Sequence, residues 1–320
     1  MLKKCAFFLV ALLGVLSCSQ EGVPHKAILE KDLHVSIHRF EKDFSEDSGE
    51  SLEDLKNRYP FFFPLQTPDS IWKAKRIDSI EKLLYRAVDS VFPQLNELQG
   101  EINNLFKYRD YYFPNTPLPK VYTLTTDVDY ENKIIYTDSL LLIGLDNYLG
   151  TTHSFYEAFP EYIRQSLKSE NITSDIARAL AEPYFMIDKD HFFLSEMIRE
   201  GKIGYLKSLL IPELSLRDNL QYTEDQMVWA QQNEAQIWRY FIERDYLYST
   251  DKELPYRFLH PAPFSKFQLE IDSESPGRIG RFIGYQIVSA YMNQSGSKLS
   301  DLETISSVEL LKKSNYKPKK

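Results

Sequence analysis

The amino-acid sequence predicts an α+β fold: a small mixed sheet with a mostly helical C-terminal half. Two observations carry this. The short alternating and β-branched runs all lie between residues 33 and 146. From Phe155 onward apolar residues recur at helical spacing, giving candidate helices over 160–169, 174–186, 190–209, 223–248, 276–293 and 300–312. The order strand, helices, small sheet, helices fits α+β.

Residues 1–17 read as a secretory signal. Lys3 and Lys4 precede an apolar run from Cys5 to Leu16, and Ser17-Cys18 follow. That run has 12 residues, and a spanning helix needs about 20. "VLSC" resembles a bacterial lipobox, which makes Cys18 the lipid anchor. Residues 18–31 then read as a lipidated tether. With Cys5 removed and Cys18 acylated, no cysteine remains for an internal disulfide, so the domain over 32–312 must be held by its core. Residues 313–320 form a basic tail.

Leu33, Val35 and Ile37 alternate with His34, Ser36 and His38 as in a half-buried strand. "YPFFFP" (59–64) reads as a buried loop. Thr67 and Pro68 open a helix carrying Ile71, Ile77, Ile80, Leu84, Ala87 and Val91. Pro93 restarts a second helix with Leu95, Leu98, Ile102, Leu105 and Phe106, ended by "FPNTPLP". "KVYTLTTD" (120–127) and "NKIIYTDSLLLIGLD" (132–146) flank the polar "DVDYE" and read as a strand pair. Ser300 with Glu303 offers a capping box to the last helix.

Removing residues 1–17 leaves 36 basic against 46 acidic residues, a net charge of −10. That excludes nucleic acid as a partner, because phosphate contacts need a basic face. The chain has six histidines, and only His34 and His38 are four apart. They sit on the expected strand, where four residues span about 13 Å and cannot chelate one ion. No nucleophile elbow, phosphate loop or dinucleotide fingerprint is present. "DVDYEN" (127–132) lacks the glycine and closing glutamate of an EF-hand. Gly277, Gly280 and Gly284 fit close helix packing.

The stretches "IHRFEKDF", "FYEAFPEYI", "SEMIREGKIGYL", "MVWAQQNEAQIWRYFIERDYLYSTD", "RFLHPAPFSKF" and "SPGRIGRFIGYQIVSAYM" together resemble GldB, the gliding motility lipoprotein family of Bacteroidota. That family in turn resembles a thermolysin-type zinc peptidase scaffold. In the peptidase pattern one helix carries H-E-x-x-H and a second carries Glu-Gly. Glu200-Gly201 matches the second helix. The first helix should be "SDIARALAEPYF" (174–185), which holds Arg178 and Glu182 but no histidine.

The resemblance therefore implies a zincin-like scaffold without the zinc motif: no metal, no cofactor and no catalytic residue. It implies a pseudo-peptidase required for gliding motility, linked to type IX secretion, acting by binding protein or peptide. The rival readings are a metal-dependent peptidase and a nutrient-capture surface lipoprotein. The implied partners are the membrane, through the lipid anchor, and envelope proteins of the gliding and secretion machinery. Ser19, Gln20 and Glu21 form no acidic cluster, which favours a protein facing the periplasm. Arg178, Glu182 and Glu200 are the expected groove residues, with Arg178 the candidate partner of an inward Glu200. Residues 133–145 are the expected strand beside the groove, with its edge at Ile143.

Overall fold

The structure is a computed structural model that describes residues 25–270 and 272–319. The signal segment and Cys18 lie outside the described residues. The strands are β1 (Ile37–Arg39), β2 (Lys120–Leu124), β3 (Ile134–Tyr136) and β4 (Leu140–Gly144). The helices are α1 (His25–Leu29), α2 (Phe40–Phe44), α3 (Leu52–Arg58), α4 (Asp69–Ile77), α5 (Ser79–Val91), α6 (Asn96–Tyr112), α7 (Glu161–Arg164) and α8 (Ile172–Ala181). They continue as α9 (Phe193–Leu210), α10 (Leu216–Leu220), α11 (Glu224–Gln232), α12 (Glu234–Glu243), α13 (Glu253–Phe258), α14 (Ile279–Ser295), α15 (Leu299–Thr304) and α16 (Ser307–Ser314). The fold is α+β, with a small mixed sheet.

The sheet runs β1-β2-β4-β3. β2 is parallel to both β1 and β4, and β3 is antiparallel to β4. Parallel central strands are covered on both faces and so read as apolar runs. Val121, Leu141 and Ile143 are buried in the main core, while Tyr122 faces a second core of Phe44, Leu55, Tyr59 and Phe63. Burying one such aliphatic side chain contributes about 1.5–3 kcal/mol.

Several sequence expectations change. Segments 120–127 and 132–146 are not a hairpin around 127–131. The hairpin is β3–β4, closed by Thr137 N–H donating to Leu140 O at 2.8 Å. Residues 126–128 instead bend away from the sheet because the buried Asp146 carboxylate accepts from the N–H of Thr126 and of Val128, at 2.9 and 2.7 Å. Ile143 lies on an interior strand and is fully buried.

The 67–91 helix is two helices, and Pro68, not Thr67, precedes the first. Asp78 breaks the run and caps α5, accepting from the N–H of Ile80 and Glu81 at 2.8 and 3.1 Å. Ile71 and Ile77 on α4 and Ile80 at the start of α5 are exposed, while Leu84 and Val88 farther along α5 are buried. Asn233 separates α11 from α12. The 300–312 helix is also two: Lys298 with Asp301 caps α15, and Ser306 caps α16.

The folded body is also longer than 32–312. α1 lies within the expected tether, with Ile28 buried and His25 hydrogen-bonded to Tyr108 at 2.9 Å. Tyr316, in the expected tail, donates to Glu234 at 2.8 Å and packs edge-on against Trp238.

Helices α9 and α14 form the centre of the helical half, and glycine sets their approach. A Cβ on Gly284 would lie 2.0 Å from Met197 O, and one on Gly201 would lie 2.2 Å from Gly284 O. Gly277 instead meets the backbone of Ala262, and Gly280 the Leu259 side chain and then the Phe258 carbonyl. This contact brings the N-terminus of α14 beside Glu200.

Candidate functional site

A cleft of about 610 Å³ opens between the sheet edge and the helical half. Its floor is α8 and the residue that follows it: Asp175 and Arg178 on the helix, with Glu182 just past its end, lie at helical spacing on one face. Arg281 reaches it from α14 and Arg278 from the residue before that helix, Ile134 from β3 and Lys133 from the residue before that strand, and Tyr162, Tyr256 and His260 from the walls. A smaller cavity of about 40 Å³ adjoins it and shares Asp175, Arg178, Gln221, Arg278 and Arg281.

Glu200 projects from α9 behind this floor, its side chain only 10 % exposed. Its two oxygens accept from Arg178 at 2.8 and 2.9 Å. Arg281 Nε lies 3.0 Å away and Arg199 Nη1 3.7 Å. Burial opposes the charged carboxylate, but Arg281 and Arg178 outweigh it and hold Glu200 well below its ordinary range. Burial pushes the Arg281 guanidinium down to about 9 against the pull of Glu200. A divalent cation beside Glu200 would sit among three guanidinium groups, where like charges repel strongly at low dielectric. Among the described residues no three His, Cys, Asp or Glu side chains gather as a metal site.

Two other carboxylates facing the cleft, Asp175 and Glu182, are also engaged. Asp175 accepts from Lys133 at 2.6 Å, Gln221 at 2.8 Å and the Tyr148 hydroxyl at 3.0 Å. Glu182 pairs with Arg178 Nε at 2.9 Å. Arg278 is different. Its one hydrogen bond is long, 3.4 Å to Gln221 O, and no carboxylate among the described residues lies within 4.0 Å of it.

The strand lining this cleft has a free edge. Gly144 N–H donates to Lys133 O at 2.9 Å, and Thr137 N–H to Leu140 O at 2.8 Å. Antiparallel pairs alternate, so the peptide groups of Ile134 and Tyr136 point outward. They have no hydrogen-bond partner among the described residues.

A family model described as the gliding motility protein GldB matches residues 23–318. The chain belongs to the GldB family. The match includes every residue of the cleft, and the family's label marks it as a lipoprotein family. Comparison with curated proteins and with solved structures finds no match. No helix among the described residues is long and apolar enough to cross a membrane.

In this GldB chain, Arg178, Glu182 and Glu200 come together at one place, and Cys18 lies outside the described residues. His34 and His38 do not converge: His34 pairs with the exposed Asp32 at 3.1 Å, and His38 stacks on Tyr122. The sequence reading missed Arg278, Arg281, Lys133 and Asp175. A signal for the first two existed. "RIGR" puts two arginines three apart at a helix start, where the helix dipole disfavours cations, and such a placement marks a need for positive charge. Lys133 and Asp175 pair only through the fold.

A second cleft of about 610 Å³ lies near α2 and α5. Its charges pair off locally, Arg39 with Glu41 at 2.7 Å and Lys42 with Asp89 at 2.5 Å.

Proposed function

We propose that this chain serves gliding motility as a non-catalytic envelope lipoprotein. Cys18 carries the lipid, the domain faces the periplasm, and the cleft binds an extended segment of another envelope protein of the gliding and secretion machinery. The observation that carries this reading is the pairing of Glu200 with three arginines beneath a cleft bordered by a free sheet edge. The glutamate that would ligand a metal in a peptidase scaffold is here committed to guanidinium groups. The free edge offers main-chain donors and acceptors to an added strand, and the cleft offers room for its side chains.

Ile134→Pro tests this. It removes an outward N–H and leaves the β3–β4 hydrogen bonds intact. The variant is expected to fold, with a thermal midpoint within a few degrees of the wild type, and to lose both gliding and its crosslinked envelope partner. A folded Ile134→Pro chain that supports gliding and keeps the partner would contradict strand addition at β3.

A further inference from the structure

We infer that the cleft recognises an acidic side chain of its peptide, an aspartate or glutamate whose carboxylate pairs with Arg278. The inference rests on the peptide-binding reading above and specifies the chemistry of the ligand.

The cations at the cleft floor divide into satisfied and unsatisfied. Arg178 is held by Glu200 and Glu182. Arg281 is held by Glu200 and donates to Leu259 O at 2.8 Å. Lys133 is held by Asp175. Arg278 alone combines partial burial, a place on both cavity walls and the lack of a carboxylate partner among the described residues. A guanidinium has five N–H donors in a planar fork that matches a carboxylate. The remaining Arg278 N–H groups are not sealed in the protein interior, so they are open to a ligand's carboxylate.

Arg278 also sits in a left-handed conformation, φ 61°, directly before α14. An arginine there gains nothing from the backbone or from the positive end of the 17-residue helix. An anion at the same place meets the guanidinium and the helix dipole together. The adjoining cavity of about 40 Å³ has room for a carboxylate but not for a further residue. A side chain reaching down from a strand added at β3 suits that depth. The exposed Glu131 at the cleft wall, with the partly exposed Glu182, sets the opposite sign on its outer part, so a single acid at the floor is favoured over an acidic run.

The test is selection of random peptides, capped at both ends, on the full chain purified in mild detergent. Selected peptides are expected to carry Asp or Glu at one fixed position. Replacing that acid by its amide should weaken binding at least about tenfold. On Arg278→Gln the acid and the amide should bind alike, and the thermal midpoint should stay equal or rise, because an unpaired half-buried charge has gone. Arg278→Lys, which keeps the charge but loses the fork, should bind more weakly with the acid preference retained. It serves where the glutamine variant fails to fold.

Peptides enriched without an acid, and released by Ile134→Pro, would overturn this inference and leave the peptide-binding reading standing. Enrichment only from a second library with free C-termini would assign Arg278 to a terminal carboxylate and overturn it too. Enrichment of nothing would overturn both readings.

Discussion

Glu200 and Lys207 are buried charges of opposite effect on stability, yet both make stability rise with pH, in different windows. Glu200 titrates far below its ordinary 4.5 in the fold, so below about pH 4.5 the unfolded chain binds the extra proton and stability falls as pH drops. Glu200→Gln should remove that part of the acid slope. It should also destabilise by about 3–5 kcal/mol near neutral pH, because three guanidinium groups lose their shared anion. Denaturant melts across pH read both effects. Lys207 is pushed down by burial to about 7, against the pull of Asp175, and donates to Asn219 O at 2.7 Å. Between about 7 and its ordinary 10.5 the unfolded chain holds more protons, so this group's penalty is relieved as pH rises. Lys207→Met is expected to gain roughly 1–3 kcal/mol at neutral pH and below, with the gain narrowing toward about pH 10. A gain that grows with pH would contradict the assignment. The sequence pointed to Arg178 beside Glu200 because an inward carboxylate needs a cation. Arg281, Arg278 and Lys207 were not legible, because their proximity depends on how closely two distant helices approach.

That approach belongs to α9 and α14. Gly284→Ala should destabilise by about 3 kcal/mol or more, since the new methyl meets the Met197 carbonyl rather than a movable side chain. Gly100→Ala, in α6, meets nothing within 4 Å and should gain about 0.5–1 kcal/mol. Thermal melts of the two variants should move in opposite directions. The glycines of 277–284 were readable as packing residues from the sequence. The pairing of strands was not: apolar β4 continues directly from β3, and nothing local announces that β2 pairs with β4 across the intervening hairpin. Nor did the spacing of Ile71, Ile77 and Ile80 reveal the break at Asp78. The apolar period runs through a residue whose carboxylate prefers to cap the next helix.

At the scale of the whole molecule, two surfaces are candidates for docking the proposed partner. One is the cleft beside β3. The other is the face of α4 and α5, where Ile77, Ile80 and Leu83 are 60, 65 and 54 % exposed. The α+β class and the helical C-terminal half were legible from periodicity and element order. The cleft was legible only through the resemblance that aligned Glu200 with a metal-ligand position, because its walls come from segments as distant as Lys133 and Arg281. The two surfaces lie on different elements, so one experiment separates them. A photo-crosslinking residue is placed in cells at Tyr162 in the cleft and, separately, at Leu83. The account expects an envelope protein crosslinked from position 162, lost when Ile134→Pro is added, and none from position 83. Crosslinking from position 83 alone, with position 162 silent, would contradict it.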